Sequence, residues 1–84
     1  SDIYECSDGS FIINSKITID HLNEELKLNL PEGNDYDSLS GLILNSLGYI
    51  PKVSEKLTIN NCNIEIQKAT NRQIELVRLI LKTY

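Results

Sequence analysis

The spacing of apolar residues changes from one stretch of this chain to the next, and each change marks an element. Ile3 to Cys6 and Phe11 to Asn14 are short runs of strand-forming residues, and Ser7-Asp8-Gly9 between them is turn chemistry, so they predict an N-terminal hairpin. Thr18 can accept a hydrogen bond from the free amides of a helix start, and Asp20 suits the positive end of the helix dipole. The helix that follows runs to about Lys27, with Ile19, Leu22 and Leu26 on one buried face and Asn23, Glu24 and Glu25 toward solvent. Pro31 pushes the residue before it away from helical angles, which ends that segment. A polar loop of Glu32, Gly33, Asn34, Asp35, Tyr36 and Asp37 leads to Ser38, the expected cap of a second helix. Leu39, Leu42, Ile43 and Leu47 give that helix a broad apolar stripe, and Gly48 closes it.

Beyond Pro51 the period falls to two. Lys56 to Asn60 and Cys62 to Ala69 read as strands joined tightly at Asn60-Asn61; Cys62, Ile64 and Ile66 line one face and Asn63, Glu65 and Gln67 the other. After a turn at Thr70-Asn71-Arg72, the stretch Gln73 to Lys82 satisfies both periods. Ile74, Leu76 and Ile80 suit a strand, whereas Ile74, Val77 and Leu81 suit a helix. The preceding hairpin favours a strand. The resulting order is β-β-α-α-β-β-β, an α+β chain with an antiparallel sheet and two short helices packed on one side. A last strand carrying Leu79 and Leu81 would be an exposed edge, suited to pairing with a second copy.

At 84 residues the chain has room for one domain with one modest core, here residues 1–84. No apolar run approaches the roughly 20 residues that cross a bilayer, and the N-terminus lacks a signal-peptide pattern. The absence of Met and the initial Ser1 suggest a domain excised from a longer polypeptide. The net charge of -4 argues against binding to nucleic acid or to an anionic membrane surface. That charge is uneven: residues 1–40 hold nine acids against Lys16 and Lys27, while residues 41–84 hold Glu55, Glu65 and Glu75 against six bases. The two halves either attract each other or offer oppositely charged faces to partners. Cys6 and Cys62, without metal-knuckle spacing, read as free thiols of a reduced compartment, which favours the cytosol.

Several runs of residues together resemble the transporter-associated domain of the CorC/HlyC family. They are Asp8-Gly9-Ser10-Phe11, the helix start Ile17-Thr18-Ile19-Asp20-His21-Leu22-Asn23, Leu30-Pro31, and Asp35-Tyr36-Asp37-Ser38-Leu39-Ser40-Gly41-Leu42-Ile43-Leu44 followed by Leu47-Gly48-Tyr49-Ile50-Pro51. The family usually places glycines where this chain has Ser15 and Ser54. The resemblance implies a domain at the C-terminal end of membrane proteins that carry a transmembrane region and paired CBS domains, described as magnesium and cobalt efflux or hemolysin-like proteins. It implies a place on the cytoplasmic side of the membrane, contacts with the CBS and transmembrane domains of the parent chain, and a part in tuning ion transport. The family fold is likened to a flavin-binding (PCMH-like) subdomain, so an adenine dinucleotide such as FAD enters as a ligand by fold analogy alone.

The residues themselves point away from catalysis. His21, the single histidine, falls in the exposed first turn of a helix beside Glu24 and Glu25, and no G-x-S-x-G elbow surrounds any serine. The glycines are scattered, so no phosphate-cradling loop is present. Gly41, inside a helix at a cost of about 1 kcal/mol relative to alanine, indicates a close neighbour. The oxygen-rich loop could hold a divalent cation, with Asp35 and Asp37 the first candidates as ligands, although Asp37 also suits the helix start. A non-catalytic docking module is the leading expectation, a sensor of a nucleotide or a divalent cation the alternative, and a homodimer a third.

Overall fold

The structure, a computed structural model, describes residues 1–81. Seven elements follow in the expected order: β1 (Ile3–Glu5), β2 (Phe11–Asn14), α1 (Ile19–Leu26), α2 (Leu39–Leu47), β3 (Lys56–Ile59), β4 (Cys62–Ala69) and β5 (Ile74–Leu81). Lys82, the end of the expected final strand, lies outside the described residues. The strands form one antiparallel sheet in the order β1-β2-β5-β4-β3.

Local chemistry accounts for the element ends. The Thr18 hydroxyl accepts from the amide of His21 at 3.2 Å, and the Ser38 hydroxyl accepts from that of Gly41 at 3.1 Å, so each helix has the side-chain cap its first amides need. Lys27 (φ 56°) and Gly48 (φ 80°) end the helices in the left-handed conformation. Asn60 and Asn61, with φ of 46° and 68°, form the two-residue connection between β3 and β4, the conformation for which asparagine is selected in tight hairpins.

The last strand is not an edge. β5 is the middle of the sheet, flanked by β2 and β4, and Val77 and Leu79 are fully buried there. An edge position would leave that apolar face half covered; pairing on both sides places it beneath the helices. The true edges are β1 and β3, only three and four residues long and carrying Glu5 and Lys56, which limits edge-to-edge aggregation. The ambiguous period of β5 also has a cause. The register with β4 shifts around Lys68, so an extra residue lets Ile74 and Val77, three apart, both face the core.

One row across the inner face runs Glu5, Phe11, Leu79, Ile64, Leu57; its neighbour runs Ile3, Ile13, Val77, Ile66. Against these pack Ile19 and Leu22 of α1 and Leu39, Leu42 and Ile43 of α2. Among the described residues no helix lies on the outer face, where Tyr4, Ile12, Arg78, Glu65 and Lys56 form a continuous row and Tyr4 and Ile80 are exposed.

Candidate functional site

The two helices begin side by side. The amide of Ile19 donates to the carbonyl of Asp37 at 2.8 Å and that of Leu39 to the carbonyl of Ile17 at 2.9 Å, while the caps Thr18 and Ser38 form an antiparallel bridge. Each helix start thus satisfies an amide of the other, and their positive dipole ends lie together. Ser15 fastens this pair to the sheet. It is fully buried, its hydroxyl donates to the carbonyl of Ile74 at 2.6 Å, its amide to that of Glu75, and its carbonyl accepts from Ser40. A glycine there would lose the hydroxyl bond, so the serine substitutes a polar tie for the residue usual in the family. Ser54, the second departure, sits at φ 77°, a conformation glycine adopts without strain.

Tyr36 organises the loop in front of the helix starts. Its hydroxyl donates to the carbonyl of Pro31 at 3.0 Å, its ring lies against Gly33, and its Cβ stands where a side chain on Gly41 would begin. The glycine inside α2 therefore makes room for Tyr36. Asn23, expected in solvent, is half-buried and serves the same loop: its amide donates to the carbonyl of Leu30 and its side-chain oxygen accepts from the Leu30 amide, both at 3.0 Å. Asparagine spends both halves of its side chain on a backbone segment that has no sheet or helix partner.

These parts enclose a cleft of about 250 Å³ lined by Thr18, Asp20, Glu32, Gly33, Tyr36 and Asp37, with Ile19 behind. Of the two metal-ligand candidates, Asp37 lines this cleft and Asp35 does not; both are exposed. Asp20 and Glu32, which the sequence reading did not join to them, complete its acidic wall. The bridge between Thr18 and Ser38 makes that junction, and only a long-range contact could have revealed it. Among the described residues, no three His, Cys, Asp or Glu side chains gather in a geometry that would hold a metal ion. The acids here face two helix N-termini, whose positive ends already offset part of their charge.

A second polar cluster anchors the sheet's outer face. Nη1 of Arg78 donates to Ser10 Oγ at 2.7 Å and lies 3.9 Å from Cys6 Sγ and 3.7 Å from Asp8 Oδ2. Ser10 in turn donates through both its hydroxyl and its amide to Asp8 Oδ1. These bonds from Ser10, helped by the Arg78 charge, hold the Asp8 carboxyl below the ordinary aspartate range. The acidic and basic halves of the chain are therefore joined by an ion pair at this point. Sequence reading placed Asp8 in a turn without a partner, because Arg78 arrives on the last strand. Tyr49 donates to Glu55, whose other oxygen accepts from the Lys52 amide, and this raises the phenol's pKa. Cys6 and Cys62 are both free, and burial pushes the Cys62 thiol up, so it stays protonated at neutral pH.

Comparison with known proteins fits these features. A family model described as the transporter associated domain, CorC_HlyC, matches residues 5–83. The possible hemolysin C of Rickettsia bellii (strain RML369-C) is 32% identical over 84 residues, covering 96% of this chain and 28% of its own length. The magnesium and cobalt efflux protein CorC of Buchnera aphidicola is 29% identical over 80 residues, covering 95% of this chain and 28% of that protein. Among solved structures, the transporter associated domain of a Xylella fastidiosa hemolysin, in complex with Mg++ and Mn++, superposes with a TM-score of 0.87 at 28% identity, covering 99% of this chain and 100% of that one. The chain spans between 8% and 28% of the length of curated relatives such as these.

Proposed function

Because this chain belongs to the CorC_HlyC transporter-associated domain family, we propose that it is a non-catalytic accessory domain of an ion transport or efflux protein, held on the cytoplasmic side of the membrane and acting through contacts with the CBS and transmembrane domains of its parent. The observation that carries this reading is the family match across residues 5–83, over a fold whose helices cover one sheet face and leave the other open. Among the described residues no helix is long and apolar enough to cross a membrane, so the parent's other parts would supply the bilayer attachment. The mechanism is a shift among transport states: a domain that docks better on one state than on another raises the population of the first by its difference in affinity. The hydroxyls of Ser10, Ser15, Thr18 and Ser38 are each engaged in hydrogen bonds that build the fold, which supports a binding role over nucleophilic chemistry.

Removing the domain from the parent protein tests this. Magnesium or cobalt efflux, assembly, or the response of efflux to its regulators should change; all three unaltered would sink the reading.

A second reading, a divalent-cation sensor, is favoured by the Mg++ and Mn++ complex of the Xylella fastidiosa domain. In this chain Asp37, in the lining of the cleft, would be the first ligand and Asp35, outside that lining, the second. A site so open would bind at about millimolar concentration. Calorimetric titration with Mg²⁺ and Mn²⁺ should show heat that Asp37→Asn removes; a flat titration eliminates this reading. FAD keeps only fold analogy behind it.

A further inference from the structure

The first edge of the sheet has features that together specify a binding mode. Among the described residues β1 pairs only with β2, and its register places Asp2 and Cys6 in hydrogen bonds to that neighbour: Asn14 donates to the carbonyl of Asp2, and Cys6 donates to that of Ser10, both at 2.8 Å. Alternation in an antiparallel ladder then turns the amides and carbonyls of Ile3 and Glu5 outward. The Ser1 hydroxyl bonds the amide and carbonyl of Ile3 there. Beside this edge, α1 stops short of covering β1 and leaves a groove of about 540 Å³. Its floor is apolar, from Ile3, Phe11 and Leu26; its rim is acidic, from Asp2, Glu5 and Glu25. His21 also faces the groove, and among the described residues no lysine or arginine lines it.

We infer that this edge and groove bind an extended basic segment from another domain of the parent chain by adding it as a strand beside β1. Main-chain hydrogen bonds to Ile3 and Glu5 supply the pairing, and side chains on one face of the added strand enter the groove. An apolar residue would lie beside Ile3 and Leu26, and a lysine or arginine two positions along would lie between Glu5 and Glu25, a charge match that an acidic segment cannot make. The shortness of β1 keeps the pairing reversible, as a contact that follows transport states must be. The inference deepens the docking function proposed above by naming its surface and the chemistry of the partner, and it rests on that reading.

The test is a titration of the ¹⁵N-labelled chain, followed by amide chemical shifts, with a synthetic decapeptide repeating Val-Thr-Lys-Thr, which places valine and lysine alternately on one strand face. The same peptide with glutamate in place of each lysine, and one with the lysines and valines in separate blocks, are the controls. Shifts should concentrate on Ile3, Glu5, His21 and Glu25 for the first peptide alone. Joint charge reversal, Glu5→Lys with Glu25→Lys, should weaken binding about tenfold, and Glu24→Lys, on the same helix but outside the groove, should leave it unchanged. Equal binding of the block peptide, shifts spread over all acidic surfaces, or indifference to the double reversal would overturn the inference. So would concentration-dependent broadening at β1 without peptide, which would make a second copy the occupant. These outcomes are separate from efflux in the parent, which could depend on the domain through another face.

Discussion

Replacing Leu39 by alanine is expected to destabilise the domain by about 3 kcal/mol. Leu39 is fully buried in the first turn of α2, within the core that joins both helices to the sheet. Its amide bond to Ile17 survives the change, so the loss isolates side-chain packing: the transfer of the missing carbons and the cavity they leave. For a chain of this length total stability is about 4 to 13 kcal/mol, so the variant loses a quarter or more of it. With a urea dependence of about 1 kcal/mol per molar, the midpoint of unfolding should fall by several molar or the fold should be lost at room temperature. Ile80→Ala on the open face, where Ile80 is 42% exposed, should cost well under half as much. Equal losses at the two positions would contradict the layer arrangement.

Gly41→Val carries the second large effect, for a reason helix propensity alone would reverse. A side chain at Gly41 begins 2.6 Å from Tyr36 Cβ and 3.6 Å from Tyr36 Cα. Those atoms move only with the backbone of the loop. Alanine would gain about 1 kcal/mol of helix propensity but meet overpacking of about 1 to 3 kcal/mol; valine adds two methyl groups to the same clash and should cost about 3 kcal/mol in all. Thermal or urea unfolding of the pair with Tyr36 variants decides the mechanism. Tyr36→Gly should recover part of the loss, whereas Tyr36→Ala, which retains Cβ, should not. Gly33 supplies the contrast. A Cβ there would meet Cε2 of the Tyr36 ring at 2.6 Å, and a ring can swing aside, so Gly33→Ala should be milder and should mainly break the Tyr36 bond to Pro31.

Features written in neighbouring residues were legible in the chain. The caps at Thr18 and Ser38, the close at Gly48, the Asn60-Asn61 hairpin and the alternation of β4 each depend on local geometry, and each stands where its residues indicate. Strand order was not legible, because the pairing of β2 with β5 leaves no mark on either strand beyond an apolar face. The edge role expected of Leu79 and Leu81 failed for that reason. Asn23 misled for a related one: its helical position looks solvated until Leu30 folds back to it. At the site, Asp37 was visible as an acid at a helix start, but its neighbours Asp20 and Glu32 come from segments joined only by the Thr18-Ser38 bridge. Tyr36 and Gly41 stood out in the motif, yet the contact between them needed coordinates.

The central place of β5 also orders events during synthesis. The strand that holds the sheet together is the last of the described elements, and Ser15 must wait for Ile74, 59 residues later, before its buried hydroxyl finds an acceptor. Until β5 leaves the ribosome, the N-terminal hairpin has no neighbour on its inner side and the apolar faces of both helices have only part of a sheet to cover. Closure of so distant a pairing comes late and slowly compared with the hairpins and helices. A nascent chain halted before Ile74 should therefore remain open to proteases and chaperones along most of its length, and become resistant in one step as the final strand emerges.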